Sequence, residues 1–153
     1  SARIPFLIYT PGKIKGGTVV NEALSCIDFM PTVMNLMDTK HGQKVDGRDA
    51  TALFTASEAD WKDMAFIRST SAGKPWLCVV SDRYKLVYSD MGDPWLFDLK
   101  NDPDEMINLF NDPVSKKVVT AMTAQLQNYS KLQNDPYADL SEIKSAMDVV
   151  LGK

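Results

Sequence analysis

Apolar and polar positions alternate most clearly between Ser81 and Phe110. Tyr84, Leu86 and Tyr88 alternate with Lys85 and Val87, and Trp95, Phe97 and Leu99 alternate with Leu96 and Asp98. Period two predicts strands over Tyr84–Tyr88 and Trp95–Leu99, in a sheet with one aromatic-rich buried face and one partly wet face. Between them, Ser89-Asp90-Met91-Gly92-Asp93-Pro94 has the length and composition of a hairpin loop. The second strand stops at Lys100-Asn101-Asp102-Pro103-Asp104-Glu105. Pro103 fixes its own φ and pushes Asp102 out of the helical region, while Asn101 and Asp102 can bond nearby backbone to form a corner.

Upstream, Met64–Thr70 and Pro75–Ser81 are two further strand candidates joined by Ser71-Ala72-Gly73-Lys74. Four consecutive strands with short connections predict an antiparallel meander. Downstream, Asp112-Pro113 is a helix start, and Val118, Met122, Leu126 and Tyr129 place an apolar stripe on a helix from Pro113 to about Gln133. Asn134-Asp135-Pro136 ends it. A last helix opens at Ser141-Glu142, runs through Ile143, Met147, Val150 and Leu151, and stops at Gly152.

The first third of the chain reads differently. Ile4-Pro5-Phe6-Leu7-Ile8-Tyr9 is a nearly continuous apolar run, the pattern of a strand buried on both faces of an α/β sheet. Asp28 is placed as an N-cap and Pro31 in a first helical turn, with Phe29, Val33, Leu36 and Met37 at helical spacing. Thr39–Gly47 is a polar connector, and Arg48–Phe54 begins another helical turn. The composition turns polar around Ser57–Lys62. This divides the chain into 1–56, a strand and helix of an α/β layer, and 57–153, an α+β unit.

At 153 residues, with 44% apolar and 24% charged content, the chain has the composition of a globular protein. A net charge of -3 leaves no electrostatic footprint for nucleic acid, and no apolar run is long enough to span a bilayer. Cys26 and Cys78 are too few and too far apart for a disulfide framework or a zinc site, and both sit in apolar surroundings that predict small buried side chains. His41, the sole histidine, lies in a polar loop and reads as a solvated residue. Asp98, Asp102, Asp104 and Glu105 crowd together as hard-cation ligands do. They lack the alternate-position ligands and central glycine of an EF-hand, so turn formation and capping explain them better.

Three segments carry a resemblance. They are Arg3-Ile4-Pro5-Phe6-Leu7-Ile8-Tyr9-Thr10-Pro11-Gly12-Lys13-Ile14-Lys15-Gly16-Gly17-Thr18; Cys26-Ile27-Asp28-Phe29-Met30-Pro31-Thr32-Val33-Met34 followed by Val45-Asp46-Gly47-Arg48-Asp49; and Asp82-Arg83-Tyr84-Lys85-Leu86 continuing to Leu96-Phe97-Asp98-Leu99 and on through Asp102-Pro103-Asp104-Glu105 to Asn108-Leu109. In this order and spacing they resemble the C-terminal third of a type I, formylglycine-dependent sulfatase of the alkaline phosphatase superfamily. The resemblance implies a four-stranded antiparallel sheet packed by a long C-terminal helix, preceded by a strand-helix remnant of the α/β catalytic domain. It also implies hydrolysis of aryl or carbohydrate sulfate esters by the parent protein, at a Ca²⁺ or Mg²⁺ site with a formylglycine nucleophile.

The family's Cys/Ser-x-Pro/Ala-x-Arg motif is absent: Ile27-Asp28-Phe29-Met30 follows Cys26, and Val79-Val80-Ser81-Asp82 follows Cys78. The metal-binding aspartate pairs are absent too. The resemblance therefore implies no catalytic residue, metal ligand or cofactor in this chain, which is expected to be inert alone. The expected partners are an upstream catalytic domain of the same polypeptide and a sulfated small molecule or glycan, with no nucleic acid and no membrane. Exposure of the catalytic-domain remnant predicts a homodimer, and family habit predicts a periplasmic or secreted parent. Loops of this sheet help shape the substrate cleft in the family. Arg68, Lys74 and Trp76 flank the tightest turn and suit an anionic sugar ring, although a solvated turn with a core tryptophan accounts for them as well. Two other readings stay open: a phosphodiester or phosphonate hydrolase of the same superfamily, and a non-catalytic binding or dimerisation module.

Overall fold

The computed structural model describes residues 4–39, 42, 44–56, 59–70 and 73–153. His41 and two residues of the predicted 71–74 spacer lie outside them. The chain divides into two compact units, Ser1–Lys62 and Asp63–Lys153.

In the first unit a 3-10 turn, Cys26–Asp28, leads into α1 (Phe29–Leu36), and α2 (Thr51–Thr55) follows. Residues 4–10 carry no strand pairing, in contrast to the strand their apolar run predicts. Ile4, Leu7 and Tyr9 stand exposed, while Phe6 packs edge-on against the rings of Phe29 and Phe54. The buried side of α1 also departs from the predicted stripe. Pro31, Thr32 and Leu36 are buried, whereas Phe29 and Met37 are exposed. A polar anchor at Thr32 selects that face, as described below.

The second unit holds a four-stranded antiparallel sheet in the order β1 (Ala65–Arg68), β2 (Trp76–Val80), β3 (Tyr84–Ser89) and β4 (Gly92–Asp98). This is the predicted meander. Leu77 pairs with Tyr88, Val79 with Leu86, and Leu86 with Leu96. These side chains share one face and are buried against α3 (Lys116–Leu132) and α4 (Ser141–Leu151) through Val119, Met122, Leu126, Ile143 and Met147. Each such side chain contributes roughly 1.5–3 kcal/mol by leaving water. Asp112 caps the 3-10 turn that leads into α3 by accepting the Val114 N–H at 2.9 Å. Gly152, at φ 68°, ends α4 in the left-handed conformation that glycine adopts without a Cβ penalty.

Within the core, the Tyr88 hydroxyl lies 2.6 Å from the Thr123 hydroxyl, which itself donates to the Val119 carbonyl at 2.7 Å. With the threonine proton committed there, Tyr88 is the donor of the pair. Burial pushes the Tyr88 phenol up to about 12, so it stays a neutral donor.

The β3–β4 hairpin is tighter than predicted. Ser89 pairs with Gly92, leaving a two-residue turn at Asp90-Met91, and an irregularity between Val87 and Ser89 resets the register. Pro94 consequently lies inside β4, an edge strand. Leu96, two residues on, points its N–H and C=O outward to Asn108 and Leu109. The nitrogen of Pro94 faces the same outer side, where no ladder bond is lost. The aromatic face of β4 is reversed as well: Leu96 is buried against the helices, while Trp95 and Phe97 share the opposite face with Lys85 and Val87.

Candidate functional site

Two polar knots organise the segments that the sequence singled out. In the first unit the knot is centred on Asp28, whose side chain does not cap α1 as expected. Its buried carboxylate accepts the Ser25 N–H at 3.0 Å, the Arg48 N–H at 2.7 Å and Arg48 Nη2 at 3.2 Å. Thr32 donates its hydroxyl to the Asp28 carbonyl at 2.6 Å and accepts the Ala50 N–H at 2.9 Å. Arg48 also stacks over the Trp61 ring at 3.9 Å and donates to the Lys62 carbonyl at 2.8 Å. Gly47 passes close to the segment before α1: a Cβ there would fall 1.9 Å from the Ile27 carbonyl oxygen. Sequence spacing showed Asp28, Pro31, Thr32, Gly47 and Arg48, but not that the Asp28 carboxylate binds Arg48, 20 positions further on.

In the second unit the knot is the corner after β4. Asp98, 5% exposed, accepts Arg83 Nε at 3.2 Å and Nη2 at 2.9 Å, together with the N–H groups of Lys100 and Asn101. The hydrogen bond from Arg83 holds the Asp98 carboxyl below the usual carboxylate range, and the backbone donors act in the same direction. Asp102 accepts the Ile107 N–H at 2.8 Å, and Glu105 pairs with Lys85. Asn108 then lies along β4 like a partial strand: its Oδ1 accepts the Leu96 N–H at 3.0 Å and its Nδ2 donates to the Pro94 carbonyl at 3.1 Å. The predicted structural corner is thereby given its partners.

These carboxylates do not fit a calcium or magnesium site. Asp28 and Asp98 each face an arginine and backbone N–H groups, and Glu105 faces a lysine. Among the described residues no three or more His, Cys, Asp or Glu side chains come together as metal ligands. The cysteines part company. Cys78 is buried in β2, where burial pushes its thiol up to about 12, whereas Cys26 is exposed, contrary to expectation. Cys26 opens a 3-10 turn whose buried side chain is Asp28, so its own side chain is left outside.

Arg68, Lys74 and Trp76 do not converge on one surface. Arg68 pairs with Leu77 in the ladder and so shares the helix-covered face. Its Nη1 lies 3.0 Å from Asp135 Oδ1, and its guanidinium stands 5.0 Å from the centre of the Tyr137 ring. Trp76, one residue before Leu77, takes the opposite face, half-buried, and Lys74 is exposed in the connection. Asp135 and Tyr137 went unnoticed beside Arg68 because 67 residues separate Arg68 from Asp135 and no local pattern links them.

The meander under two helices is the fold of the C-terminal region of sulfatases in the alkaline phosphatase superfamily. The chain belongs to the family described as N-sulphoglucosamine sulphohydrolase, C-terminal, whose model matches residues 1–132. An arylsulfatase of Clostridium perfringens is 28% identical over 143 residues, covering 91% of this chain and 30% of that relative. A solved structure in complex with its substrate D-glucosamine-2-N,6-O-disulfate matches with a TM-score of 0.63 at 22% identity, over 87% of this chain and 28% of that one. A phosphonate monoester hydrolase of Silicibacter pomeroyi shares the fold with a TM-score of 0.61 at 23% identity, over 86% of this chain and 29% of that one. The chain thus spans about 30% of the length of the Clostridium relative, and less than a third of the length of other curated relatives it matches.

Proposed function

We propose that the chain is the C-terminal part of a hydrolase of aryl or carbohydrate sulfate esters and has no hydrolytic activity by itself. The observation that carries this reading is the family match over residues 1–132, which takes in both polar knots. The catalytic metal and the formylglycine would belong to another part of the polypeptide, because Asp28, Asp98 and Glu105 are committed to arginine, lysine and backbone donors. This chain's own task is to fold the closing unit and hold its loops in place. The test is to assay the complete reading frame and residues 1–153 side by side on 4-nitrophenyl sulfate and on glucosamine 6-sulfate. Turnover by the former and none by the latter is expected. Turnover by residues 1–153 alone would overturn the reading.

A phosphonate monoester hydrolase is the second reading, favoured by the fold shared with the Silicibacter enzyme. Including 4-nitrophenyl phenylphosphonate in the same assay separates the two. The partner proposal follows from the first unit, where Ile4, Leu7, Tyr9, Phe29, Met30 and Met37 are exposed. Residues 1–153 expressed alone self-associate to bury them. A clean monomer in light scattering at micromolar concentration would remove that proposal.

A further inference from the structure

We infer that the open edge of β1 pairs with β1 of a second copy of this chain, joining two sheets into one across a twofold axis. Hydrogen-bond parity defines the edge. The Ser69 N–H donates to the Trp76 carbonyl at 3.1 Å, so the odd-numbered residues of β1 face β2 and those between them face outward. Phe66 and Arg68 therefore turn two N–H and two C=O groups away from the sheet. Among the described residues none hydrogen-bonds to these four groups. The other edge is treated differently. β4 carries Pro94, and its outer groups at Pro94 and Leu96 are taken by Asn108 and Leu109. β1 has no proline, no register shift and no such plug. Its one charge, Arg68, is turned aside to Asp135 at 3.0 Å.

The strand selects its own partner. A twofold axis at Ile67 sets Phe66 of each copy beside Arg68 of the other, and each such pair exchanges two N–H···O=C bonds. All four outward groups of each strand are then used. The Phe66 ring gains the other copy's guanidinium as a cross-strand neighbour, and the two Ile67 side chains meet on the face away from the helices. An axis at Arg68 would oppose two guanidinium groups, and one at Phe66 would draw on Met64, outside the strand. Four backbone bonds over so short a strand make a transient pair rather than an obligate one.

The inference rests neither on the sulfate-ester reading nor on the self-association proposed for the first unit, and its test reads β1 directly. Residues 1–153, labelled with ¹⁵N, are followed by amide hydrogen exchange at about 20 μM and about 1 mM. The Phe66 and Arg68 amides should exchange at least about threefold more slowly at the higher concentration, while Ala65 and Ile67, bonded to β2, stay unchanged. In a mixture of ¹³C-labelled and unlabelled chains, a filtered NOE should join the Ile67 Hα atoms of the two copies. Arg68→Pro removes an outward N–H and leaves the β2 ladder whole, so it should abolish the concentration dependence at Phe66. Arg68→Ala, which keeps the N–H, should retain it. If Arg68→Pro disturbs the spectrum at large, Ile67→Lys decides: ammonium groups facing across the axis should weaken pairing about tenfold or more. Exchange at Phe66 and Arg68 that does not change with concentration, association that leaves these amides unprotected, or pairing that survives the deciding variant would each overturn the inference.

Discussion

The two units hold themselves together by opposite means. From Asp63 onward, a continuous apolar core of sheet and helix side chains does the work, and polar groups such as Asp98 and Asn108 finish the edges. Before it, buried Asp28 and Thr32 bind a loop-rich segment by hydrogen bonds, while large apolar side chains from Ile4 to Met37 remain in water. Apolar burial is cumulative and tolerant of detail, whereas a polar knot is specific and supplies little net free energy once the lost hydration is counted. The second unit therefore has what independent folding requires. The first has a defined shape without the apolar burial to secure it.

The most severe way to break this comparison is to cut it. Residues 63–153 alone should unfold cooperatively in urea, and residues 1–62 alone should show no cooperative transition by circular dichroism. A cooperative 1–62 fragment would show that the knot suffices. Next in size is Gly47→Ala. Its Cβ would overlap the Ile27 carbonyl, so the two chain segments must separate and the Asp28–Arg48 contacts go with them. The expected result is loss of hydrogen-exchange protection at Arg48 and Ala50, confined to the first unit, with the second unit's exchange unchanged.

Asp98→Asn should cost about 2 kcal/mol in the second unit, discounted because Arg83 remains half-exposed. The acid limb carries the sign. Arg83 lowers the folded-state pKa of Asp98 beneath its unfolded value, so its stabilisation is present above the ordinary carboxylate range and disappears as pH falls through the folded value. The parent chain should lose stability below about pH 4, and Asp98→Asn should flatten that loss. Urea melts between pH 7 and pH 2 measure both. The smallest effect is Tyr88→Phe. Thr123 keeps its bond to Val119, so only one buried hydrogen bond disappears, at about 1 kcal/mol.

The same contrast governs what the sequence disclosed. The meander, α3 and α4 were readable because periodic apolar positions report directly on a core that really is apolar. Within the hairpin, Gly92 and Pro94 pointed to a loop, yet both join β4, since an outer edge tolerates a missing N–H. Trp95 and Phe97 mimicked a buried face because hydrophobicity alone does not say which side of an edge strand the helices cover. In the first unit the apolar spacing of Phe29, Val33, Leu36 and Met37 held at Leu36, which is buried, and misled at Phe29 and Met37 for a related reason. The buried face follows Thr32, a polar residue anchored to Asp28 and Ala50, which apolar periodicity does not register. Arg68 was visible as a residue type. Its setting was not, because Asp135 and Tyr137 reach it through the tertiary fold.

Asn108 has a meaning for the life of the protein at high concentration. Its amide group occupies the hydrogen-bonding positions of Leu96 and Pro94 that an incoming chain would otherwise use, and Leu109 takes the Leu96 carbonyl. One side chain thus occupies the β4 edge where another strand could pair. Along β4, at least, one copy cannot serve as the template for the next by adding a strand.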